Sequence, residues 1–451
     1  MPAVVDARVE LIDLFEQTVP NHSHSVGMIS LFLKLVLRCA VGFRGAAAVL
    51  KVVSPLFPVL EPAPSPNGGQ FWLLRLGLFE LTRIKERADD WIWFIDHTIQ
   101  IGNVKCLIVV GVRLSAWLGK RDKDGNLCPL TQEDLSIWLI LPVSESNGEI
   151  VLKQLEDLSE KTQTIPAGIV SDCGADLQKG IADFCEKHTE TVPLNDIAHA
   201  VANVLKAELN KCESWAAFMA DANRAKTQMR QTKFAFLMPP ELKPKARWMN
   251  LEALVTWSGK ALDFVTAPHA VDGVTWEPEE LEAKLGWLLK YRSQLSDWSR
   301  MMAAAETTLQ YVRQNGYHLN ATAELRIELE PFFTEEPTAA SRVAYNILEA
   351  VQKRTSAIPE GKRLPGSSEV LESLIGKAKQ LEGQQSKSGF TKMVLGIAAA
   401  VADLSEENIK EALAAVPVSK LLEWIKDKLG HSIQAQRYQA FTAPASGTKP
   451  G

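Results

Sequence analysis

The sequence has few cysteines, and no two of them are spaced as in a CxxC motif. Its six cysteines lie apart without a CxxC motif, which is typical of reduced thiols and argues against a disulfide-stapled secreted fold. A phosphate-binding glycine loop is also missing, because Ser258-Gly-Lys260 has neither the upstream glycine nor the following Ser or Thr. These absences exclude small disulfide-rich proteins and P-loop nucleotide-binding enzymes.

The sequence also lacks a long apolar run without charge. Its longest run, residues 28–57, is interrupted by Lys34, Arg38, Arg44 and Lys51, so it predicts helices of a soluble protein and no membrane partner. The first twenty residues carry four acidic side chains, which a signal peptide would not. We therefore expect a cytoplasmic protein.

An excess of basic charge is absent as well. The chain has 49 Lys and Arg against 54 Asp and Glu, a net charge of −5, which argues mildly against a protein that coats itself in nucleic acid. Its 451 residues, 46% hydrophobic and 23% charged, fit about three globular domains of ~150 residues. A disordered or collagen-like chain is excluded.

The first segment, residues 1–85, has helical spacing. Gly42-Phe-Arg-Gly45 interrupts an apolar run, and a proline-rich stretch precedes a further helix over residues 71–81. Short helices around a glycine turn are typical of a helix-turn-helix DNA-binding domain, and a plain helical bundle fits equally well.

From residue 86 the pattern changes to strands. Apolar and β-branched runs predict strands at 91–95, 104–112, 137–143, 167–170 and 192–194, with helices at 149–162, 177–187 and 197–210. The order β-β-β-α-β-α-β-α predicts a mixed sheet with helices on its faces. This succession is the layout of the ribonuclease H-like fold, and we assign residues 86–210 to the first part of such a domain.

Two aspartates follow strands that this fold places side by side. Asp96 ends the first strand and Asp172 ends the fourth. Two carboxylates at one sheet edge repel each other unless a cation neutralises them, and their oxygen ligands suit Mg²⁺ or Mn²⁺. The alternative is that each aspartate merely ends its strand, where Asp is common.

A later helix offers a third carboxylate. The segment Ser367-Ser-Glu-Val-Leu-Glu-Ser-Leu-Ile-Gly-Lys-Ala-Lys379 resembles the glutamate-bearing helix of bacterial insertion-sequence transposases of the DDE type. In several of those families the pattern is Ser-Asn-x-x-x-Glu-x-x-Asn-Gly-Lys-x-Lys. The match puts the catalytic glutamate at Glu372, with departures at Ser368 and Ile375, and Glu369 is a rival one turn earlier.

Two further segments resemble the same class. Val170-Ser-Asp-Cys-Gly-Ala-Asp-Leu177 is similar to its second-aspartate segment, and Asp196-Ile-Ala-His199 to the Cys/Asp-x-x-His motif after the fifth strand. Cys185-Glu-Lys-His188 has the same spacing but falls inside a predicted helix. The resemblance implies an all-α insertion at 211–360 and a final catalytic-domain helix at 361–395. A helical segment at 396–440 and a disordered tail at 441–451 would follow.

The resemblance implies a DDE transposase that cleaves transposon ends and joins them to target DNA. Asp96, Asp172 and Glu372 would hold two Mg²⁺ or Mn²⁺ ions, with Asp196 and His199 as auxiliary active-site residues. The protein would work in the cytoplasm at the nucleoid, as a homodimer or higher oligomer on DNA. A ribonuclease H-like nuclease without strand transfer, a non-catalytic DNA-binding descendant, and a helical scaffold with an unrelated α/β domain stay open.

Local charge indicates where DNA would bind. Seven basic residues and one acid lie between Ala222 and Trp248, and such patches supply phosphate contacts even when net charge is negative. A solvated basic face is the plain alternative. The predicted DNA-binding residues are Lys243, Lys245, Arg247, Arg363, Lys377 and Lys379.

Overall fold

The chain folds as a mixed α/β protein. The computed structural model describes residues 17–57, 62–101, 104–143, 145–172, 174–241, 251–335, 338–383, 391–429 and 441–442. The chain divides into two compact units. The sheet unit comprises Met1–Lys120, Leu130–Thr191 and Ser368–Gly451, and the helical unit comprises Arg121–Pro129 and Val192–Ser367.

Five strands form one mixed sheet in the order β3-β2-β1-β4-β5. Strand β1 pairs antiparallel with β2, β2 antiparallel with β3, and β1 parallel with β4. The predicted adjacency of the first and fourth strands is therefore confirmed. The strands are β1 Trp91–Ile101, β2 Val104–Arg113, β3 Ser136–Val143, β4 Gly168–Ser171 and β5 Val192–Asn195.

One face of the sheet is buried under two helices, α5 (Gly148–Thr162) and α6 (Ala175–Lys187). Alternation along β1 sends Trp91, Trp93 and Ile95 into this layer, where they pack with Phe184 of α6. The two helices contact each other closely and both present a leucine- or isoleucine-bearing stripe to the sheet.

Helices from both ends of the chain lie in the sheet unit. The N-terminal helices are α1 Val26–Leu37, α2 Phe43–Val53 and α3 Pro66–Thr82, and Leu114–Gly119 forms the short α4. The later helices are α14 Glu369–Gly383, α15 Leu395–Ala400, α16 Glu406–Ala415 and α17 Val418–Leu429. Helix α3 packs against α15, α16 and β3, and α14 contacts β1. The N-terminal helices therefore share a unit with β1 to β4, while β5 belongs to the helical unit.

The helical unit packs around aromatic side chains. Trp215 and Trp298 are both buried and lie edge to face with ring centroids 4.8 Å apart. Its helices are α7 Ile197–Leu209, α8 Glu213–Met229, α9 Leu251–Thr266, α10 Pro278–Leu285, α11 Arg292–Asn315, α12 Ala321–Glu328 and α13 Ala339–Thr355. A two-stranded sheet, β6 Tyr317–His318 and β7 Arg363–Leu364, was not predicted, because two-residue strands carry no periodic signal.

The turn after α4 joins the helical unit. Asp122 accepts the backbone N–H groups of Asp124 and Asn126 in the predicted turn, and the Leu127 N–H donates to the carbonyl of Gln314 at 3.0 Å. The proposed tail at 441–451 lies outside the described residues except for 441–442, which are helical.

Candidate active site

The parallel pairing of β1 with β4 sets Asp96 beside Asp172. Ile95 is registered with Ser171, so Asp96 and Asp172 follow at the same level of two neighbouring chain segments, about 4.8 Å apart. Asp172 directly follows β4, but the prediction that Asp96 ends the first strand is wrong, because β1 continues to Ile101 through its antiparallel pairing with β2. Asp96 lies instead at the point where the pairing of β1 with β4 ends. Both side chains are partly exposed. The carboxylate of Asp172 accepts the Gly174 N–H at 2.9 Å, which ties it to the backbone of the β4–α6 connection.

Helix α14 contacts the strand that carries Asp96. Its buried stripe includes Leu371, Leu374 and Ala378, while Glu372 is exposed and Glu369 partly buried. Successive residues turn about 100°, so Glu372 and Lys379 differ in direction by about 20°. These two side chains therefore lie on the same side of the helix.

Lys377 projects from another side of α14. It is turned about 140° from Glu372 and donates to the side chain of Gln132 at 2.9 Å. Burial lowers the pKa of Lys377, nearby Arg38 lowers it further, and Glu133 partly opposes both. In this structure Lys377 joins α14 to the short turn Gln132–Asp134, which Ser373 also contacts through Gln132.

Asp196 begins helix α7 in the helical unit. Its buried carboxylate accepts the His199 N–H at 2.8 Å and lies 3.0 Å from the His199 ring Nδ1. It therefore both caps the helix and orients the imidazole. His199 is about one-third exposed, and Asn203 and Lys206, four and seven residues later, are exposed on the same side of the helix.

The predicted DNA-binding residues have different surroundings. Lys243, Lys245 and Arg247 lie outside the described residues. Arg363, in β7, donates to the carbonyl of Asn315. In the described part of the basic segment, Arg224 is paired with Asp221 at 3.1 Å and Lys233 with Glu280 at 2.6 Å.

A polar cluster beside the two aspartates was missed by the sequence reasoning. Asp176 of α6 accepts the Ser146 hydroxyl at 2.6 Å, and its Oδ2 lies 3.4 Å from Lys105 Nζ. His97 Nε2 lies 3.1 Å from Ser146 Oγ. The one available signal was Asp176 itself, four residues after Asp172 in the segment that resembles the second-aspartate motif.

Burial and charge act in opposite directions on this cluster. Burial favours the neutral form of Asp176, but Ser146, His97 and Lys105 outweigh it and hold the pKa of that carboxyl below its ordinary value. Burial is the largest effect on the pKa of His97 and lowers it. Asp176 raises this pKa in part, Lys105 lowers it further, and Asp172 raises it. Asp172 is therefore close enough to His97 for its charge to act on the imidazole.

The segment Cys185-Glu-Lys-His188 lies at the end of α6. Burial raises the pKa of the Cys185 thiol to about 12, and His188 Nε2 lies 3.3 Å from Glu156. A thiol that stays protonated is a poor zinc ligand. We assign this pair to packing between α5 and α6.

Within the described ranges, no group of three or more His, Cys, Asp or Glu side chains is arranged to hold a metal ion. No helix in the described part of the chain is long and apolar enough to cross a bilayer. The chain matches no protein-family model, and no curated protein matches it.

Proposed function

We propose that this protein is a DDE-type DNA transposase in which Asp96, Asp172 and Glu372 are the catalytic carboxylates. The proposal rests above all on one observation, the parallel pairing of β1 with β4 that brings Asp96 and Asp172 to the same level. Adjacent carboxylates at the point where a parallel strand pairing ends repel each other, and a bound cation would offset that repulsion.

The sheet order supports a ribonuclease H-like assignment of the catalytic domain. Three antiparallel strands lead into two more strands in the order β3-β2-β1-β4-β5, and this order includes the expected adjacency of the first and fourth strands. In the described residues between β5 and α14, every element is helical except the two-residue strands β6 and β7, which favours an insertion that is mainly helical. Fold alone does not establish chemistry, so the carboxylates carry the functional proposal.

The donor types and the strand register fit a divalent cation. Asp96 and Asp172 would bind Mg²⁺ or Mn²⁺ through carboxylate oxygens, and Glu372 is the third donor that the proposal adds from α14. When bound, the cations supply Lewis acidity and make a water or a DNA 3′-hydroxyl a better nucleophile. The residues of the chain orient the scissile phosphate, and Lys379, on the Glu372 side of the helix, is available to contact the flanking strand.

A second candidate is a non-catalytic DNA-binding protein derived from such an enzyme. The observation that favours it is that, in the described segments, no three acidic, His or Cys side chains are gathered for a metal. A ribonuclease H-like nuclease without strand transfer shares the same carboxylates and differs only in its products.

One experiment distinguishes the transposase, the nuclease and the DNA-binding descendant. The protein is incubated with the DNA that flanks its own gene, a target plasmid and Mg²⁺. A transposase yields cleaved ends and joined products, a nuclease yields only cleaved ends, and a DNA-binding descendant retards the DNA without cutting it. We expect Asp96→Asn, Asp172→Asn and Glu372→Gln each to abolish cleavage in a folded protein, while Glu369→Gln cuts normally. If instead Glu369→Gln abolishes cleavage and Glu372→Gln cuts normally, the catalytic glutamate is Glu369, one helical turn earlier.

A further inference from the structure

We propose that Asp176 is a positioning residue that fixes the middle of β1 and the end of β4, and with them Asp96 and Asp172, by binding Ser146 and Lys105 directly and His97 through Ser146. The inference rests on the proposed function, because it assigns Asp176 to the support of that site. Asp176 itself would not touch metal or DNA.

The groups that meet at Asp176 come from three separate elements. Its Oδ2 accepts the Ser146 hydroxyl at 2.6 Å from the loop before α5, and lies 3.4 Å from Lys105 Nζ of β2. His97 Nδ1 of β1 lies 3.7 Å from the same oxygen. Asp176 therefore ties α6 directly to β2 and to the loop before α5, and Ser146 of that loop links it to His97 of β1.

The connection from β4 to α6 makes this tie relevant to Asp172. Asp176 sits in the first turn of α6, and only residues 172–174 separate that helix from the end of β4. Because Asp172 also binds the Gly174 N–H in this connection, a shift of the first turn of α6 would displace the Asp172 carboxylate. Asp176 resists that shift.

Alternation along β1 links the same cluster to Asp96. His97 follows Asp96 directly, so the two side chains leave opposite faces of the sheet. Since Ser146 gives its proton to Asp176, we assign the proton of His97 to Nε2, from which it donates to Ser146 Oγ at 3.1 Å. The His97 ring is largely buried, so the network holds this part of β1 from the face away from Asp96.

The chain offers a matched control on the same helix. Asp183, seven residues after Asp176, is held by Lys179 at 2.6 Å, and the two aspartate side chains are 20% and 21% exposed. Substituting either one removes one carboxylate charge from α6. Only Asp176 is joined to the strands.

The test is direct Mn²⁺ binding to the full chain, measured by calorimetry without DNA, with cleavage kinetics alongside. We expect Asp176→Asn to weaken Mn²⁺ binding by about 10- to 100-fold, the usual effect of losing a residue that orients metal ligands. Thermal unfolding should match that of Asp183→Asn, which should bind Mn²⁺ like wild type. In cleavage at saturating DNA, added Mn²⁺ should restore Asp176→Asn but not Asp172→Asn.

The outcomes separate this inference from the proposed function. If wild type binds Mn²⁺, Asp172→Asn does not, and Asp176→Asn binds like Asp183→Asn, the inference is wrong and the proposed function stands. If Asp176→Asn weakens binding only in proportion to a loss of folded protein, a structural role replaces positioning. If wild type neither binds Mn²⁺ nor cuts DNA, the proposed function fails and the inference fails with it.

Discussion

Arg75 of α3 binds the end of a helix that lies more than three hundred residues along the chain. It donates to the carbonyls of Leu413 and Val416 at the end of α16 and lies 2.9 Å from His22 Nε2. The last carbonyls of a helix have no partner within it. The buried guanidinium supplies their hydrogen bonds and so joins the two ends of the chain within the sheet unit.

We predict that Arg75→Met lowers the free energy of unfolding by about 2 to 4 kcal/mol. Two buried carbonyls would lose their donor, and each such loss costs roughly 1 to 3 kcal/mol. Urea unfolding followed by circular dichroism measures the change. Arg87→Met, at an exposed position, is the control and should stay within about 0.5 kcal/mol of wild type. A loss no larger than the control's would mean that other donors replace Arg75.

Substitutions at Asp196 and His199 can distinguish a role in capping α7 from a role in DNA cleavage. We predict that Asp196→Ala lowers the free energy of unfolding by about 1 to 2 kcal/mol and that Asp196→Ser, which can still cap, recovers most of it. His199→Ala keeps the backbone N–H that Asp196 binds and should cost much less. The expected auxiliary role requires that His199→Ala still reduces cleavage per folded molecule; normal cleavage with lower stability would leave only a structural role.

At the scale of elements, Gly180 of α6 lies where α5 and α6 approach each other closely. A Cβ on Gly180 would lie 2.5 Å from the Val151 Cβ and 2.8 Å from the Gly148 carbonyl oxygen. Such distances force one helix to move, so the absence of a side chain sets how closely the helices approach.

We predict that Gly180→Ala destabilises the protein by about 1 to 3 kcal/mol through overpacking, although alanine is the better helix former. Gly376→Ala is the matched control, since a Cβ there meets nothing within 4 Å, and it should stabilise the protein by up to about 1 kcal/mol. Thermal unfolding of the two variants checks the opposite signs. Stabilisation by both would show that the α5–α6 contact adjusts without cost.

Helix α14 shows what spacing can and cannot predict. Seven residues separate Glu372 from Lys379, and the helical repeat alone puts them on one side. The partner of Lys377 is Gln132, 245 residues earlier in the chain. Sequence spacing predicts on which side of a helix a residue lies. The contact between Lys377 and Gln132 depends on how the elements that carry them pack together.

At the scale of the whole molecule, a net charge of −5 means that any DNA affinity must come from local basic groups. We predict that replacing Lys243, Lys245 and Arg247 together with Ala weakens binding to every DNA sequence. The slope of the logarithm of the binding constant against that of salt should become less steep by up to about 3, since each phosphate contact contributes about 0.9.

Filter binding across a range of salt concentrations measures this slope. Arg224→Ala with Lys233→Ala is the control, because these cations are already paired with Asp221 and Glu280 and their loss should change the slope little. An unchanged slope in the triple variant would put the path of the DNA elsewhere on the protein.

The five sheet strands could be predicted from the sequence, because alternation and apolar runs act over a few residues. The adjacency of β1 and β4 was predicted only because the element order resembles the ribonuclease H-like layout, and the continuation of β1 past Asp96 to Ile101 was not predicted. The cluster around Asp176 was decided only by the tertiary structure. Its members lie 30 and 71 residues from Asp176, and no local pattern links them. Such contacts form because packing of the strands and helices brings buried polar groups together, and each of them then needs a partner.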